Sequence, residues 1–308
     1  MRRRLDGILV LDKPTGITSN GALQQAKRLF GAAKAGHAGT LDPLASGVLP
    51  VLFGEATKFS SFLLDADKEY LADVQLGAST STGDAEGEVL SRSTIEVDDA
   101  AIEAALAQFR GEHEQIPPMH SALKYGGRPL YEMARQGVTV ERAPRRIAIR
   151  ELEVLGRWGG LLKLRLACSK GTYVRVFAED LGLALGTGAH LAGLRRTVAG
   201  CFRLEQAVSL ASLGEMDGPA RDRLLLPAET LLQALPPVEL DPGTAGAFLN
   251  GRTVAQPHGP RGRCRVYGAA SELLGVGEVG PQGDLRPLRL VARLPGTTQA
   301  AEIPTKTL

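Results

Sequence analysis

The chain begins with an unbroken apolar run, Ile8-Leu9-Val10-Leu11, bracketed by Asp6 and Asp12. A run that short with charges at both ends predicts a buried strand. Leu23, Leu29 and Phe30 then recur at helical spacing, with Thr18 or Ser19 as N-cap and Gly31 as stop, so a helix is predicted between them. Period-two alternation appears at Tyr70, Ala72, Val74 and Leu76, and again at Leu162, Leu164 and Leu166 against Lys163 and Arg165. Both stretches read as half-buried strands. Asp98 caps a predicted helix with Ile102, Leu106 and Phe109 on one face and Gly111 at its end, and another helix is predicted from about Val174 to Leu185.

Between Gln115 and Arg146 this periodicity gives way to Pro, Gly and basic residues, PPMHSALKYGGRPLYEMARQG, with Met119, Tyr125 and Tyr131 interleaved. Such a stretch reads either as a loop excursion over the core or as an inserted segment that touches substrate. Near Pro236-Pro237 the pattern changes again. A main domain over 1–235 is expected to hand over to a smaller Gly-rich unit over 236–295, in which Arg263 to Tyr267 and Leu273 to Val279 suit short strands. The polar tail 296–308 is expected to be disordered.

With 308 residues, 44% of them hydrophobic, the chain can bury one large core and a smaller companion. The apolar run near the start is too short for a signal peptide or a membrane span, which points to a cytoplasmic protein. Cys168, Cys201 and Cys264 are odd in number and lack CxxC spacing, so neither a disulfide framework nor a cysteine zinc site is expected, and all three read as buried small hydrophobes. His113, His120, His190 and His258 form no ligand-spaced pair, and no metal is expected. The net charge of +2 hides segregation: residues 1–40 carry seven Lys or Arg against Asp6 and Asp12, and residues 124–150 carry seven more against Glu132 and Glu141. The stretch from Asp84 to Glu103 between them is acidic, so one side of a bipolar surface could follow a phosphate backbone.

The segment Gly36 to Pro50, GHAGTLDPLASGVLP, carries the clearest chemistry. Pro43 holds Asp42 out of the helical region, and Gly36, Gly39 and Gly47 let the backbone turn sharply and approach a ligand. A plain turn with Asp42 capping a following helix is the alternative. The segment resembles the catalytic motif of the TruB family of tRNA pseudouridine synthases. Lys13-Pro14-Thr15-Gly16, Gly54-Glu55-Ala56-Thr57-Lys58, Lys68-Glu69-Tyr70 and Cys168-Ser169-Lys170-Gly171-Thr172-Tyr173-Val174-Arg175 also resemble that family's motifs, in its order and spacing. The likeness is close over roughly residues 5–205 and looser beyond.

The resemblance implies an α+β fold, a pseudouridine synthase domain around a mixed, largely antiparallel central sheet, followed by a small β-rich PUA-like domain that binds RNA, with Phe248-Leu249-Asn250-Gly251-Arg252 as its most similar stretch. It implies isomerisation of a uridine in the T-loop of tRNA, position 55, on a base flipped out of the RNA. In this reading Asp42 is the nucleophile, and Arg175 pairs with it, its permanent charge favouring the ionised carboxylate. Tyr70 stacks on the base and is the candidate for removing the C5 proton. Lys13 supports the loop or touches substrate, Tyr173 lines the pocket, and His37 fills the stack that the base leaves. Arg142, Arg145 and Arg146 in the inserted segment are expected to contact the RNA. The chemistry requires no cofactor, since it involves neither redox change nor net hydrolysis.

Two competing motifs fail on their residues. Gly31 to Ala38 imitates a phosphate-binding loop, but His37 and Ala38 stand where that loop needs Lys and Ser or Thr. A hydrolase built on His37, Asp42 and Ser46 lacks a G-x-S-x-G elbow. A guide-dependent synthase of the same group and a tRNA-folding chaperone stay open beside a stand-alone, monomeric enzyme with tRNA as its partner.

Overall fold

In the computed structural model, residues 2–256 and 258–291 are described; the expected tail over 296–308 lies outside them. The chain divides into two compact units, Met1–Leu231 and a second beginning at Leu232.

The first unit is built on ten strands: β1 (Gly7–Lys13), β2 (Ala35–His37), β3 (Ala45–Phe53), β4 (Lys68–Leu76), β5 (Gly111–Gln115), β6 (Arg145–Trp158), β7 (Leu161–Cys168), β8 (Ala189–Ala199), β9 (Phe202–Arg203) and β10 (Val208–Ser209). They form one sheet in the order β10-β1-β3-β8-β4-β7-β6-β5, with β2 added to β3 and β9 to β8. The β1–β10 and β3–β8 pairs are parallel and the rest antiparallel, so the sheet is mixed and largely antiparallel. Ile8 to Leu11 are buried, as a central strand requires, and Tyr70, Ala72, Val74 and Leu76 alternate inward with half-buried neighbours.

Three helices, α1 (Ser19–Leu29), α2 (Asp99–Ala107) and α3 (Val174–Ala184), supply much of the remaining core. Thr18, not Ser19, caps α1 by accepting from the Gly21 N–H at 3.0 Å, which contributes about 1 kcal/mol. Helix α2 ends two residues before the predicted Phe109. That ring packs edge-on against Phe177 of α3 with centroids 5.3 Å apart, and Gly111, at φ +88°, opens β5 instead of closing the helix.

The connection between β5 and β6 holds the Pro- and Gly-rich stretch, as two short strands, Lys124–Tyr125 and Arg128–Pro129, and the short helix Leu130–Ala134. Arg145 and Arg146 belong to β6 itself, paired with Gln115 and Glu114 on the outermost strand. The cysteines divide: Cys168 and Cys264 are buried, whereas Cys201, in the tight turn from β8 to β9, is exposed, contrary to expectation.

The second unit has its own sheet, from β11 (Pro237–Glu239), β12 (Val254–Ala255), β13 (Gly262–Tyr267), β14 (Leu273–Val279) and β15 (Asp284–Leu290), in the order β11-β13-β14-β15-β12. Helix α4 (Pro242–Leu249) contributes Phe248 to a core with Val238, Val266, Leu274 and Leu285. Among the described residues no helix is long and apolar enough to cross a membrane.

Candidate active site

Asp42 stands in a loop that α1 and β3 hold from both sides. Ser19, buried at the start of α1, donates its hydroxyl to the Leu41 carbonyl and accepts from the Leu41 N–H, both at 2.8 Å. Beyond the carboxylate, Gly16 donates its N–H to the Pro43 carbonyl at 2.8 Å, and Ala45 donates to the Asp42 carbonyl at 3.1 Å in a turn that runs straight into β3. No helix follows Pro43, so the capping alternative for Asp42 falls away.

The partner of that carboxylate is Arg175, in the first turn of α3. Its Nε lies 3.0 Å from Asp42 Oδ2; the arginine side chain is 7% exposed and the aspartate 45%, so a buried cation aims a carboxylate that is open to a substrate. Arg175 is itself pinned: its Nη1 donates to the Thr82 carbonyl at 3.2 Å and its Nη2 to the His120 carbonyl at 2.6 Å. A planar fork held on several sides keeps one orientation. Behind it lies Asp84, whose Oδ2 is 3.6 Å from Nε and whose Oδ1 accepts from the Thr82 hydroxyl at 2.5 Å and the Glu86 N–H at 3.1 Å. Asp84 was hidden in a stretch that reads as an acidic surface; the turn residues Thr82-Gly83 are its one local hint.

Lys13, at the end of β1, is wholly buried and donates from Nζ to the Pro14 carbonyl at 2.9 Å and the Ile17 carbonyl at 2.6 Å. Burial lowers its amine to about 8, against the opposing pull of the Asp42 charge. It therefore supports the turn that bonds Pro43. Tyr70 is 8% exposed on β4; burial pushes its phenol up, and the charge of Arg196, its cross-strand partner on β8, pulls it down. Tyr173 precedes α3, and the Gln115 side chain grips it on both backbone groups, accepting from its N–H at 2.8 Å and donating to its carbonyl at 3.1 Å. Its phenol is raised by burial and senses Asp42, Arg175 and Arg145.

His37 lies on β2, half-buried opposite Val51, and burial together with the Arg196 charge lowers its pKa, which keeps the ring neutral near pH 7. Arg145 and Arg146 are exposed at the start of β6, and Arg142 is half-buried in the preceding connection. Asp42, Arg175, Lys13, Tyr70 and Tyr173 thus form one electrostatic centre, which Arg145 reaches through Tyr173.

Two of the motif glycines, Gly39 at φ +78° and Gly47 at φ +100°, make the sharp turns expected and also sit against Arg196. A Cβ on Gly47 would meet the Arg196 carbonyl oxygen at 2.2 Å, and one on Gly39 would meet Arg196 Nη1 at 3.3 Å. They let the loop lie on Arg196. Gly36, in β2, faces only Thr57 at an ordinary 3.8 Å.

Comparison with known proteins places this chain in a family. The description "TruB family pseudouridylate synthase (N terminal domain)" matches residues 27–174, and two TruB C-terminal descriptions match 175–233 and 236–291. The chain belongs to the TruB family. Its TruB relatives include the tRNA pseudouridine synthase B of Dechloromonas aromatica, 55% identical over 94% of this chain and 96% of that protein. That of Aromatoleum aromaticum is 52% identical over 97% of each. Among solved structures, the Cbf5 of a Cbf5-Nop10-Gar1 complex aligns with a TM-score of 0.69 and 28% identity over 94% of this chain and 84% of its own. An archaeal box H/ACA sRNP Nop10-Cbf5 complex aligns at 0.67 and 28%, over 90% and 79%. The fold expected of a pseudouridine synthase, with a separate β-rich C-terminal unit, is the fold observed.

Proposed function

We propose that this TruB-family chain isomerises uridine to pseudouridine in tRNA, at the T-loop uridine of position 55, as a stand-alone monomer in the cytoplasm. The Arg175–Asp42 pair carries the reading: an aspartate on a braced loop, aimed by a buried arginine and open on its other side, suits a nucleophile at a sugar or base carbon. Relatives at more than half identity, named tRNA pseudouridine synthase B, supply the substrate class.

The reaction breaks the bond from ribose C1′ to N1, turns the uracil, joins C5 to C1′, releases the C5 proton and returns a proton to N1. Asp42 can enter by attack on C1′, by addition to C6, or by promoting loss of uracil to a glycal. Tyr70 would stack on the base and take the C5 proton, with Lys13 holding the loop and Tyr173 lining the pocket. The neutral His37 ring is suited to fill the stack left by the flipped base. Arg142, Arg145 and Arg146 would meet the phosphates, and the second unit, over 236–295, would act as the PUA-like RNA-binding domain.

The Cbf5 neighbours support a second reading, a synthase directed by a guide RNA, but at 28% identity against 55% for a tRNA enzyme. A tRNA-folding activity can accompany either. Incubation with unmodified tRNA carrying tritium at uridine C5, without added metal or nucleotide, decides between them. Release from one T-loop uridine is expected, falling by more than about 10³-fold in Asp42→Asn with tRNA affinity nearly unchanged. Full turnover in that variant would sink the nucleophile assignment, and release at another site would overturn the substrate.

A further inference from the structure

Arg196 is 1% exposed and stands outside the motifs quoted above. The ion pairs nearby use other arginines: Arg175 holds Asp42, and Arg195, facing the opposite way from the same strand, holds Asp12 at 2.8 Å. The donors of Arg196 go to main-chain carbonyls instead, Nε to Val48 at 2.7 Å and Nη2 to Gly39 at 2.9 Å. Burying a guanidinium on neutral partners is costly. Its position explains the expense.

Gly39 precedes Asp42 by three residues and Val48 follows it by six, so one side chain grips the nucleophile loop on both flanks. The main chain of Arg196 supports the same loop, since it lies against Gly47 across the parallel β3–β8 pair. On its other side β8 pairs with β4, where Arg196 is opposite Tyr70 and its charge acts on the phenol.

We propose that Arg196 is a positioning residue that fixes the Asp42 loop relative to Tyr70. The proposal rests on the pseudouridine synthase reading above. Arg196→Lys keeps the charge but loses the planar fork whose separate nitrogens reach Val48 and Gly39. Its single-turnover tritium release is expected to fall about 10–100-fold, and that of Arg196→Gln further, with tRNA affinity and binding stoichiometry within about threefold of the native protein. A merely structural arginine would behave differently: folded protein and tRNA binding would be lost together, and the rate per bound tRNA would stay native, which overturns the proposal.

If the Arg196 variants do not fold, Gly39→Ala leaves β8 intact and presses a methyl on Nη1; the same loss of rate at native affinity is expected, and a native rate overturns the clamp. A native protein that releases no tritium defeats the enzymatic reading instead. The clamp is then decided by NMR on protein carrying ring-labelled ¹³C-tyrosine. Arg196→Gln should move the Tyr70 titration to higher pH, and an unmoved titration overturns the contact.

Discussion

Lys13 is buried at the end of a central strand, and both its hydrogen bonds go to carbonyls of the turn beside it. Burial brings its amine from 10.5 to about 8. With the folded value below the unfolded one, the penalty of the buried charge is fully present below about 8, and it fades as pH rises from there toward 10.5, because the folded protein releases the proton first. The neutral amine retains two N–H groups for its two carbonyls. Stability relative to Lys13→Met is therefore expected to increase across that window, read from denaturant titrations at about pH 7 and about pH 9.5. A flat difference would show that Lys13 keeps its proton. At this scale part was legible: turn chemistry marks the stretch of Asp42 and alternation that of Tyr70, while Arg175 was legible only through the family resemblance of its motif. Asp84, Gln115 and Arg196 were not, because each acts through a partner remote in sequence.

Elements β3 and β8 run parallel, with Gly47 beside Arg196, and that contact sets what the Asp42 loop tolerates. Gly47 has φ +100°, and an added Cβ would strike the Arg196 backbone. Gly47→Ala should therefore cost roughly 2–4 kcal/mol, whereas Gly36→Ala, in an ordinary strand conformation with only a van der Waals contact to Thr57, should cost less than about 1 kcal/mol. Urea unfolding of both variants tests this, and equal losses would refute the close approach as the reason for glycine at position 47. The elements were mostly readable from periodicity: β1, α1, β4, β7 and α3 lie where the pattern placed them. The end of α2 was misread because Phe109 keeps the helical spacing while its ring is held by Phe177 from another helix.

The whole molecule is nearly neutral, yet 14 of its 36 Lys and Arg lie in residues 1–40 and 124–150, and Arg145 of the second stretch acts on Tyr173. Neutralising Arg142, Arg145 and Arg146 together is expected to weaken tRNA binding and to reduce the slope of log affinity against log salt by roughly two. Filter binding over a salt series measures it; an unchanged slope would place all three away from phosphate. Each of the two units has a hydrophobic core of its own.

The order of residues along the chain was enough to determine β1, β4, β7, α1 and α3, a constrained loop at Asp42 and the family, because those signals are local: alternation, caps, and glycines and prolines within a few positions. Strand order decided the rest. The bond from Arg196 to Gly39 spans 157 positions, and the one from Arg175 to the Thr82 carbonyl spans 93. Such contacts exist only once β8 lies between β3 and β4 and α3 packs near the turn at Thr82. No pattern along the chain records which strands become neighbours, since the hydrophobic periodicity that buries a strand is the same for many partners.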